Sequence, residues 1–518
     1  MDAVTNESVT ISYNLEHFLI VLSVSLSIAT LSKTFAVLRK IPYTLLLVIV
    51  GVGLTFIDIR LINLSPELIL EIFLPPLLFE AAWNVSWRNL KASWFPVSLF
   101  AVVGVIIAVV GIGFPLHQFG GMPLAIALLV AAALSTTDPV SVLALFKELG
   151  ASQKLRTLME GESLFNDGVA VAIFVILADL PLGSKIIDPS STLTLFGTFV
   201  GVGVACGLVI GFSLSFLTQR IELPFVEQSL TLVSAYGAYL LGEELGGSGV
   251  IAVVVVGMVL GNYGSRVGMN PRTRLVVSMF WEFVAFFINS IIFLLIGDQI
   301  GLGGLADHFY LILIAIGAVV ASRFVAIFAL SAISNEVAKS QISFREQTVL
   351  WWGGLRGSVA IALALSVPEY IPARQEIIDI VFGVVLFTLL VQGITTPFLL
   401  KKLNLIGDYP QRQEYAALIS RQLALKEILN KLQHPENLPK IDPKRFKERQ
   451  ILVETQLNSV TDQLEKLLEN YPQLETVANE KFDQAILDIE VETYAELIRV
   501  GRLDEDLMPL MNSLEEEH

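Results

Sequence analysis

The stretch Gly161-Glu162-Ser163-Leu164-Phe165-Asn166-Asp167-Gly168 places four polar side chains within six positions, directly before the apolar run Val169–Ala178. A charged side chain at bilayer depth costs roughly 2.5–3.5 kcal/mol on insertion scales, so carboxylates kept in such a segment indicate a function. Positions i, i+1, i+4 and i+5 of a helix share one broad face. We therefore expect Glu162, Ser163, Asn166 and Asp167 to face the protein interior, with the other apolar segments around them.

The composition is that of a helical membrane protein that crosses the bilayer many times. Of the 518 residues, 54% are hydrophobic and 16% are charged, and the mean hydropathy is +0.68. The single cysteine, Cys206, excludes an internal disulfide framework. The net charge of −15 gives no support to nucleic-acid binding, and most of it lies in the last part of the chain, where residues 408–518 hold 13 basic and 23 acidic residues.

Apolar stretches of membrane-spanning length, separated by breaker residues and charges, predict thirteen transmembrane helices. Their expected limits are about 17–34, 42–57, 66–84, 94–113, 122–146, 162–180, 193–218, 224–242, 247–264, 275–298, 309–333, 346–367 and 376–400.

The basic residues of the loops predict the orientation of these spans. With the N-terminus outside, sixteen Lys and Arg residues lie at the inner ends and loops and three at the outer ones. The chain is then divided into a short extracytoplasmic N-terminus (1–16), a transmembrane domain (17–401) and a cytosolic helical tail (402–518). The N-terminus carries Asp2, Glu7 and Glu16 and no base, which is the wrong sign for a secretory signal.

Thirteen spans also suit two inverted six-helix repeats joined by a linker span. Under that symmetry the fifth and twelfth spans correspond, and both are interrupted. The fifth contains Ser135-Thr136-Thr137-Asp138-Pro139 and the twelfth contains Gly353-Gly354-Leu355-Arg356-Gly357-Ser358. Proline and paired glycines break helices, so we expect two broken, crossing helices whose free ends lie near the midplane.

The tail has a different character. Residues 414–432 and 443–470 are charged and have helical spacing, and the second run carries the apolar stripe Leu457, Val460, Leu464, Leu467 and Leu468. This pattern predicts a helical bundle or a helix-pairing surface.

Carboxylates, a hydroxyl and broken backbone together predict a cation site in the membrane. A hard monovalent cation prefers about six oxygen ligands, by extension of the rule for divalent ions. Asp167, Asp138, Glu80, Ser163 and the backbone at Thr137 supply such oxygens. The same carboxylates take protons. A site that holds either a cation or a proton exchanges one for the other, which is antiport in physical terms.

Two arginines inside the spans need anionic partners. We expect Arg356 to pair with Glu162, which would tie the twelfth span to the sixth. We expect Arg323 either to pair with Glu282 or to cap free carbonyls of the crossed helices.

These motifs together resemble one family. Thr137-Asp138-Pro139, Glu162-Ser163-Leu164-Phe165-Asn166-Asp167, Leu74-Pro75-Pro76 with Glu80, Trp281-Glu282 and Gly354-Leu355-Arg356-Gly357 are similar to the motifs of the monovalent cation/proton antiporter-1 family. That family includes the NhaP-type Na⁺/H⁺ antiporters and the animal Na⁺/H⁺ exchangers. The resemblance covers residues 17–401 and leaves out the tail.

The resemblance implies a homodimer that works by an elevator-like alternation of a moving core. It implies that Asp167 is the principal carrier of cation and proton, with Asp138, Glu80, Ser163 and the Thr137 carbonyl at the other cation positions. Asn166, which we include among the cation- and proton-binding residues, stands in place of a second aspartate and so resembles the electroneutral branch, which exchanges one cation for one proton.

The sequence therefore predicts a Na⁺(Li⁺)/H⁺ antiporter of the plasma (inner) membrane, in contact with lipid and using no cofactor. A K⁺/H⁺ antiporter stays open, because ligand type hardly separates the two ions. A cation channel is a further alternative. An intramembrane hydrolase is not supported, because the sequence has no paired histidine ligands, no Gly-x-Ser-x-Gly motif and no nucleotide-binding loop.

Overall fold

The structure is a computed structural model that describes residues 19–32, 34–35, 43–55, 65–178, 189–220, 223–300, 302–371, 373–405, 409–433 and 443–471. The described residues form helices and connecting turns, without a strand. The predicted N-terminal segment 1–16 and the last residues of the tail, from 472, lie outside the described residues. The chain divides into two units, one of residues 1–147 and 151–405 and one of residues 148–150 and 406–518.

The helices of the first half of the membrane unit follow the predicted spans, with the fifth span in two pieces. They are α1 (Leu19–Ser32), α2 (Tyr43–Thr55), α3 (Leu74–Asn84), α4 (Trp87–Ala92), α5 (Trp94–Gln118), α6 (Leu124–Ser135), α7 (Val140–Leu149), α8 (Gln153–Ala178) and α9 (Pro189–Thr218).

The second half contains the other interrupted span. Its helices are α10 (Pro224–Glu244), α11 (Gly249–Val267), α12 (Pro271–Asp298), α13 (Leu302–Asp307), α14 (Phe309–Val337), α15 (Phe344–Trp352), α16 (Ser358–Leu365) and α17 (Arg374–Lys402).

Seven of the described helices are long and apolar enough to cross a membrane by length and composition, namely α5, α8, α9, α11, α12, α14 and α17. Shorter apolar helices include α1, the first part of α2 and α6. The predicted fold class, an all-α polytopic membrane protein with broken helices and a helical tail, is confirmed. The number thirteen and the inverted repeat stay predictions.

One predicted boundary was wrong in a way that matters for the site. The sixth span was predicted to begin at residue 162, whereas α8 begins at Gln153. The Ser152 hydroxyl accepts a hydrogen bond from the Leu155 amide (3.2 Å) and so starts the helix before its apolar run begins. Asp167 consequently lies near the middle of a 26-residue helix and not in its first turns.

Two groups of helices can be distinguished by their packing. In the first group α12 packs against α2, α3 and α10, and α11 packs against α3, α9 and α10. In the second group α5 packs against α6 and α14, α17 packs against α14 and α16, and α8 packs against α6. We call these the α12 group and the α8 group.

The contact between α2 and α12 is a close approach of two backbones. A Cβ atom on Gly51 would lie 2.3 Å from the Leu294 carbonyl oxygen, and one on Gly297 would lie 2.3 Å from the Val48 carbonyl oxygen. Small residues at helix crossings allow this spacing inside membranes. The two glycines therefore allow the backbones of α2 and α12 to pack in direct contact.

The second unit contains a pair of helices, α18 (Tyr409–Gln433) and α19 (Pro443–Asn470). Their shared core contains Tyr415 and Leu425 from α18 and Val460, Leu464 and Leu467 from α19. The apolar stripe predicted for residues 457–468 thus packs against a partner helix, and the predicted helical nature of the tail is confirmed.

Candidate functional site

The two interrupted spans cross at their breaks. Residues 136–139 separate α6 from α7, and residues 353–357 separate α15 from α16. The Asp138 amide donates a hydrogen bond to the Leu355 carbonyl across the crossing (2.9 Å). Each break thus satisfies a backbone group of the other, which is necessary because lipid offers no hydrogen bonds.

The Asp138 carboxylate lies where two short helices begin. Its Oδ1 atom accepts from the Val140 amide at the start of α7 (3.1 Å), and the Ser358 amide at the start of α16 also donates to it. Helix N-termini carry partial positive charge and free amides, so both helix ends favour an anion here. The half-buried Asp138 side chain is therefore held by backbone groups from both interrupted spans.

Gly357 makes this approach possible. A Cβ atom at position 357 would lie 2.0 Å from Oδ2 of Asp138, which is far inside van der Waals contact. The sequence signal was the glycine in Gly354-Leu355-Arg356-Gly357, which was predicted to break a helix and in addition leaves space for the carboxylate.

Helix α8 supports the first break with two side chains. Ser163 Oγ donates to the Thr137 carbonyl (2.5 Å). Asn166 Nδ2 donates to Thr137 Oγ1 (2.7 Å), and Asn166 Oδ1 accepts from the Thr137 amide (3.4 Å). The Asn166 carboxamide is thus occupied with holding Thr137 in place.

Asp167 is buried beside this support. Its side chain is 7% exposed, and its Oδ1 atom has no hydrogen-bond partner among the residues that the structure describes. Its charge interacts with the charges of Asp138, Glu162 and Arg356. A buried carboxylate oxygen without a donor is costly unless something else binds it.

A cavity of about 570 Å³ joins these groups. It lies between α3 and α12 on one side and α7, α8, α16 and the two breaks on the other. The predicted site residues Glu80, Thr137, Asp138, Ser163 and Asp167 all line it, and so does Glu282. The structure therefore brings together five of the six residues predicted for the cation site, while Asn166 lies behind Thr137 as its support.

Glu80 enters the cavity from α3 and is half-buried. Its Oε1 atom accepts a hydrogen bond from Asn84 Nδ2 (2.6 Å). Tyr43 of α2, which the sequence analysis did not single out, lies close enough for its phenol to interact with the charges of both Glu80 and Asp138. A tyrosine at the start of a predicted span was too common a feature to be recognised in advance.

The predicted pairing of the arginines was wrong. Glu162 pairs with Arg323, through Nη1 to Oε1 (2.9 Å) and Nη2 to Oε2 (3.0 Å), and not with Arg356. Arg323 does not pair with Glu282, which is exposed and lines the cavity. The reason is the rotation of α14, which points Arg323 at the last turn of α15 and across it at α8.

The other expectation for Arg323, that it caps free carbonyls, agrees with the structure. Its guanidinium donates to the Leu350 carbonyl (2.9 and 3.1 Å) and to the Trp351 carbonyl (3.2 Å) at the end of α15. A Cβ atom on Gly354 would lie 2.0 Å from Arg323 Nε, so this glycine leaves room for the arginine. A cation at a helix C-terminus is also favoured by the helix dipole.

Arg356 is buried at 1% exposure within the second break. Its amide donates to Thr388 Oγ1 of α17 (3.1 Å), but its Nε and Nη1 atoms have no hydrogen-bond partner among the described residues. Its charge interacts with those of Glu162, Asp167 and Arg323. It borders a second, small cavity of about 20 Å³ together with Glu162, Asn166 and Arg323, a volume near that of one water molecule.

These observations define a class of protein: a helical membrane protein in which two broken helices cross beside carboxylates that line a shared cavity. This is the architecture of an ion-coupled secondary transporter.

Comparison with known proteins gives the family. Residues 23–402 match the family described as "Sodium/hydrogen exchanger, transmembrane". The chain therefore belongs to this family of transporters, as the sequence motifs predicted, and it is not an enzyme.

Similar proteins cover nearly the whole chain. The low-affinity Na⁺/H⁺ antiporter NhaS1 of Synechocystis sp. is 71% identical over 522 residues, which is 100% of this chain and 99% of the relative. The Na⁺/H⁺ antiporter ApNhaP of Aphanothece halophytica is 60% identical, over 97% of each chain. The solved structure of the sodium proton antiporter MjNhaP1 of Methanocaldococcus jannaschii shares the fold, with a TM-score of 0.63 at 21% identity over 76% of this chain and 99% of that one.

The Arg323–Glu162 pair leads to a prediction about stability. Replacing either partner alone, as Arg323→Met or Glu162→Met, should strongly lower the thermal unfolding temperature, because one buried charge loses its partner at a cost of roughly 3–5 kcal/mol. The double variant should be more stable than the sum of the two single effects predicts. Thermal unfolding of the purified protein in detergent measures all three.

Arg374→Met is the matched control. Arg374 also donates to backbone carbonyls at and just after the end of α16, those of Leu365 and Val367, but it is only half-buried. Arg374→Met should therefore lower the thermal unfolding temperature clearly less than Arg323→Met. Strictly additive losses in the double variant would contradict a direct pair between residues 162 and 323.

Proposed function

We propose that this protein is a secondary-active antiporter that exchanges Na⁺ or Li⁺ for H⁺. The observation that carries the proposal is the buried Asp167 carboxylate, whose Oδ1 atom lacks a donor and whose side chain shares a cavity with Asp138, Ser163 and Thr137. Membership of the exchanger family and the names of the two similar antiporters support it. The opposed ion gradient drives the exchange without a cofactor.

The cation ligands proposed are oxygens of Asp167, Asp138, Glu80, Ser163 and Thr137. The Ser163 hydroxyl donates its hydrogen bond to the Thr137 carbonyl, so the lone pairs of the Ser163 oxygen stay available to a cation. Asn166 contributes by position rather than by ligation, because both ends of its amide hold Thr137. Oxygen ligands of this kind suit a small hard cation.

Exchange follows from competition for the same oxygens. A cation bound between Asp167 and Asp138 offsets their repulsion, and so does a proton on one of them. Each ligand therefore displaces the other. A carrier that moves across the membrane with one or the other bound couples the two gradients.

The charges at the crossing support an exchange of one cation for one proton. The α8 group brings three carboxylates (Asp138, Glu162 and Asp167) and two guanidinium groups (Arg323 and Arg356) to the crossing, and these five groups sum to one negative charge when all are ionised. One monovalent cation or one proton brings this set to neutrality. Since net charge deep in the membrane is costly, the set favours movement with a single ligand bound.

The α8 group carries Asp138 and Asp167, whereas Glu80 and Glu282 belong to the α12 group. We propose that the α8 group is the moving core and that the α12 group is the scaffold of an elevator-like cycle. The support is that the cavity lies between the two groups and that the crossed breaks, with their shared hydrogen bonds, form one body.

The proposed antiport predicts that Asp167→Asn loses exchange activity. Without a titratable carboxylate at this place, Na⁺-dependent proton movement in reconstituted vesicles should fall to background while membrane insertion stays normal. Asp379→Asn is the control, because Asp379 is equally buried but its carboxylate binds His308 and Gln375, away from the cavity. Proton movement should be followed with Na⁺, Li⁺ and K⁺ in turn.

Three results would contradict the proposal. Exchange that survives in Asp167→Asn would remove Asp167 from the carrier role. A wild-type protein that moves protons against K⁺ alone would make it a K⁺/H⁺ antiporter, and cation flux without coupled protons would make it a channel.

We propose further that the protein lies in the plasma (inner) membrane with its N-terminus outside and its C-terminus in the cytoplasm, on the strength of the sixteen-to-three distribution of loop bases. On a Cys206→Ser background, an impermeant thiol reagent added to intact cells should label Glu244→Cys and not Lys339→Cys. Both positions are exposed in the structure. The reverse pattern would show the opposite orientation.

We propose that the working form is a homodimer in lipid. Helices α9 and α10 expose large apolar side chains that suit lipid or a second copy, among them Val209 (66%), Phe212 (51%), Phe225 (81%) and Val233 (66%). Mass measurement of the purified protein in lipid nanodiscs should give two copies per particle. A single copy at all protein concentrations would exclude the dimer.

A further inference from the structure

The wall of the cavity formed by α12 contains a polar group with no assigned role. Leu275, Ser278, Met279, Glu282 and Asn289 all line the cavity. Their spacing of three, four and seven residues places them on one stripe of the helix. Asn289 lies seven residues beyond Glu282, which is about 10 Å further along the axis.

Asn289 and Ser358 differ from the other uncharged polar side chains of the cavity, because no side-chain hydrogen bond of either is found among the described residues. Asn84 donates to Glu80, Ser278 accepts from Trp83 Nε1 (3.0 Å), and Ser163 donates to Thr137. Asn289 is only 6% exposed, its carboxamide has no hydrogen bond among the described residues, and its polar atoms open into the cavity. A buried amide without a partner is unfavourable unless a ligand or water uses it.

Its surroundings place Asn289 near the carboxylates. Phe286, one helical turn before it, packs against the ring of Tyr43 with ring centroids 5.6 Å apart. The Tyr43 phenol in turn interacts with the charges of Asp138 and Glu80. The glycine contacts at Gly51 and Gly297 fix α2 against α12 and so fix this arrangement.

We propose that Asn289 is a further cation-contacting residue, whose carboxamide oxygen replaces one water of the incoming ion from the α12 wall of the cavity. The inference rests on the proposed antiport, and it adds one residue of the scaffold helix α12 to the proposed cation ligands. Glu282 is exposed at a shallower place on the same stripe and attracts the hydrated cation, whereas Asn289 meets it deeper. A carboxamide carries no titrating proton, so it strengthens cation binding without binding H⁺ in competition.

The test is Asn289→Leu, which keeps the approximate shape and removes the oxygen. The KM for Na⁺ in reconstituted vesicles should rise about fivefold, the effect of one lost polar contact. The factor should be the same at two pH values, since proton binding is untouched. Thermal stability without Na⁺ should be unchanged or higher, because an unpartnered buried amide has been replaced by an apolar group, and stabilisation by added Na⁺ should weaken.

Ser290→Ala is the matched control on the neighbouring position. Ser290 is fully buried, but its hydroxyl is bound to the Phe286 carbonyl (2.6 Å) and does not line the cavity. Its KM for Na⁺ should stay that of the wild type.

Asn289→Asp is the second variant. An added carboxylate at the same place should lower the KM for Na⁺ at alkaline pH, where it is ionised. An unchanged KM in Asn289→Leu, or in Asn289→Asp at every pH, would overturn the role of Asn289, and so would a lower unfolding temperature of Asn289→Leu. If Asp167→Asn abolishes exchange in the same experiments, the proposed antiport is kept and only the role of Asn289 as a cation ligand is rejected.

Discussion

The structure depends on the way two interrupted helices satisfy each other's backbone inside the membrane. An interruption leaves amides and carbonyls without partners, and lipid supplies none. At the crossing Asp138 satisfies backbone groups of both spans. Its amide donates to the Leu355 carbonyl, and its carboxylate accepts from the Val140 and Ser358 amides. The acidic side chain that makes the crossing possible also lines the cavity.

The remaining free groups of the crossing are satisfied by charged and polar side chains from helices that are not broken. Arg323 of α14 covers the end of α15 and binds Glu162 of α8. Thr388 of α17 receives the Arg356 amide, and Ser163 and Asn166 of α8 hold Thr137. These contacts make α8 and the two breaks a single body. They also leave Asp167 with an Oδ1 atom that no described residue binds, and this is the position proposed for the transported ion.

The cavity has two walls of different chemistry. The α8 side holds the buried carboxylates in fixed positions, and the α12 side offers Glu80 and Glu282 together with the neutral Asn289. If the two groups move against each other, the cation exchanges the oxygens of the second wall for those of water while it keeps those of the first. Such a division explains how an ion can be bound selectively and still be released.

The sequence by itself determined the apolar lengths of the spans, the helical tail and both breaks, because these depend on residues close together in the chain: Pro139 beside Asp138, and the glycines from Gly353 to Gly357. It also indicated which residue types form the candidate site. Only the tertiary structure decided which carboxylate each arginine meets, because Arg323 and Glu162 are 161 positions apart and their contact depends on how three helices are rotated. For the same reason the position of Tyr43 and the proposed role of Asn289 became visible only in three dimensions. A single tyrosine or asparagine in an apolar helix has no pattern, and what distinguishes each of these is what packing places beside it.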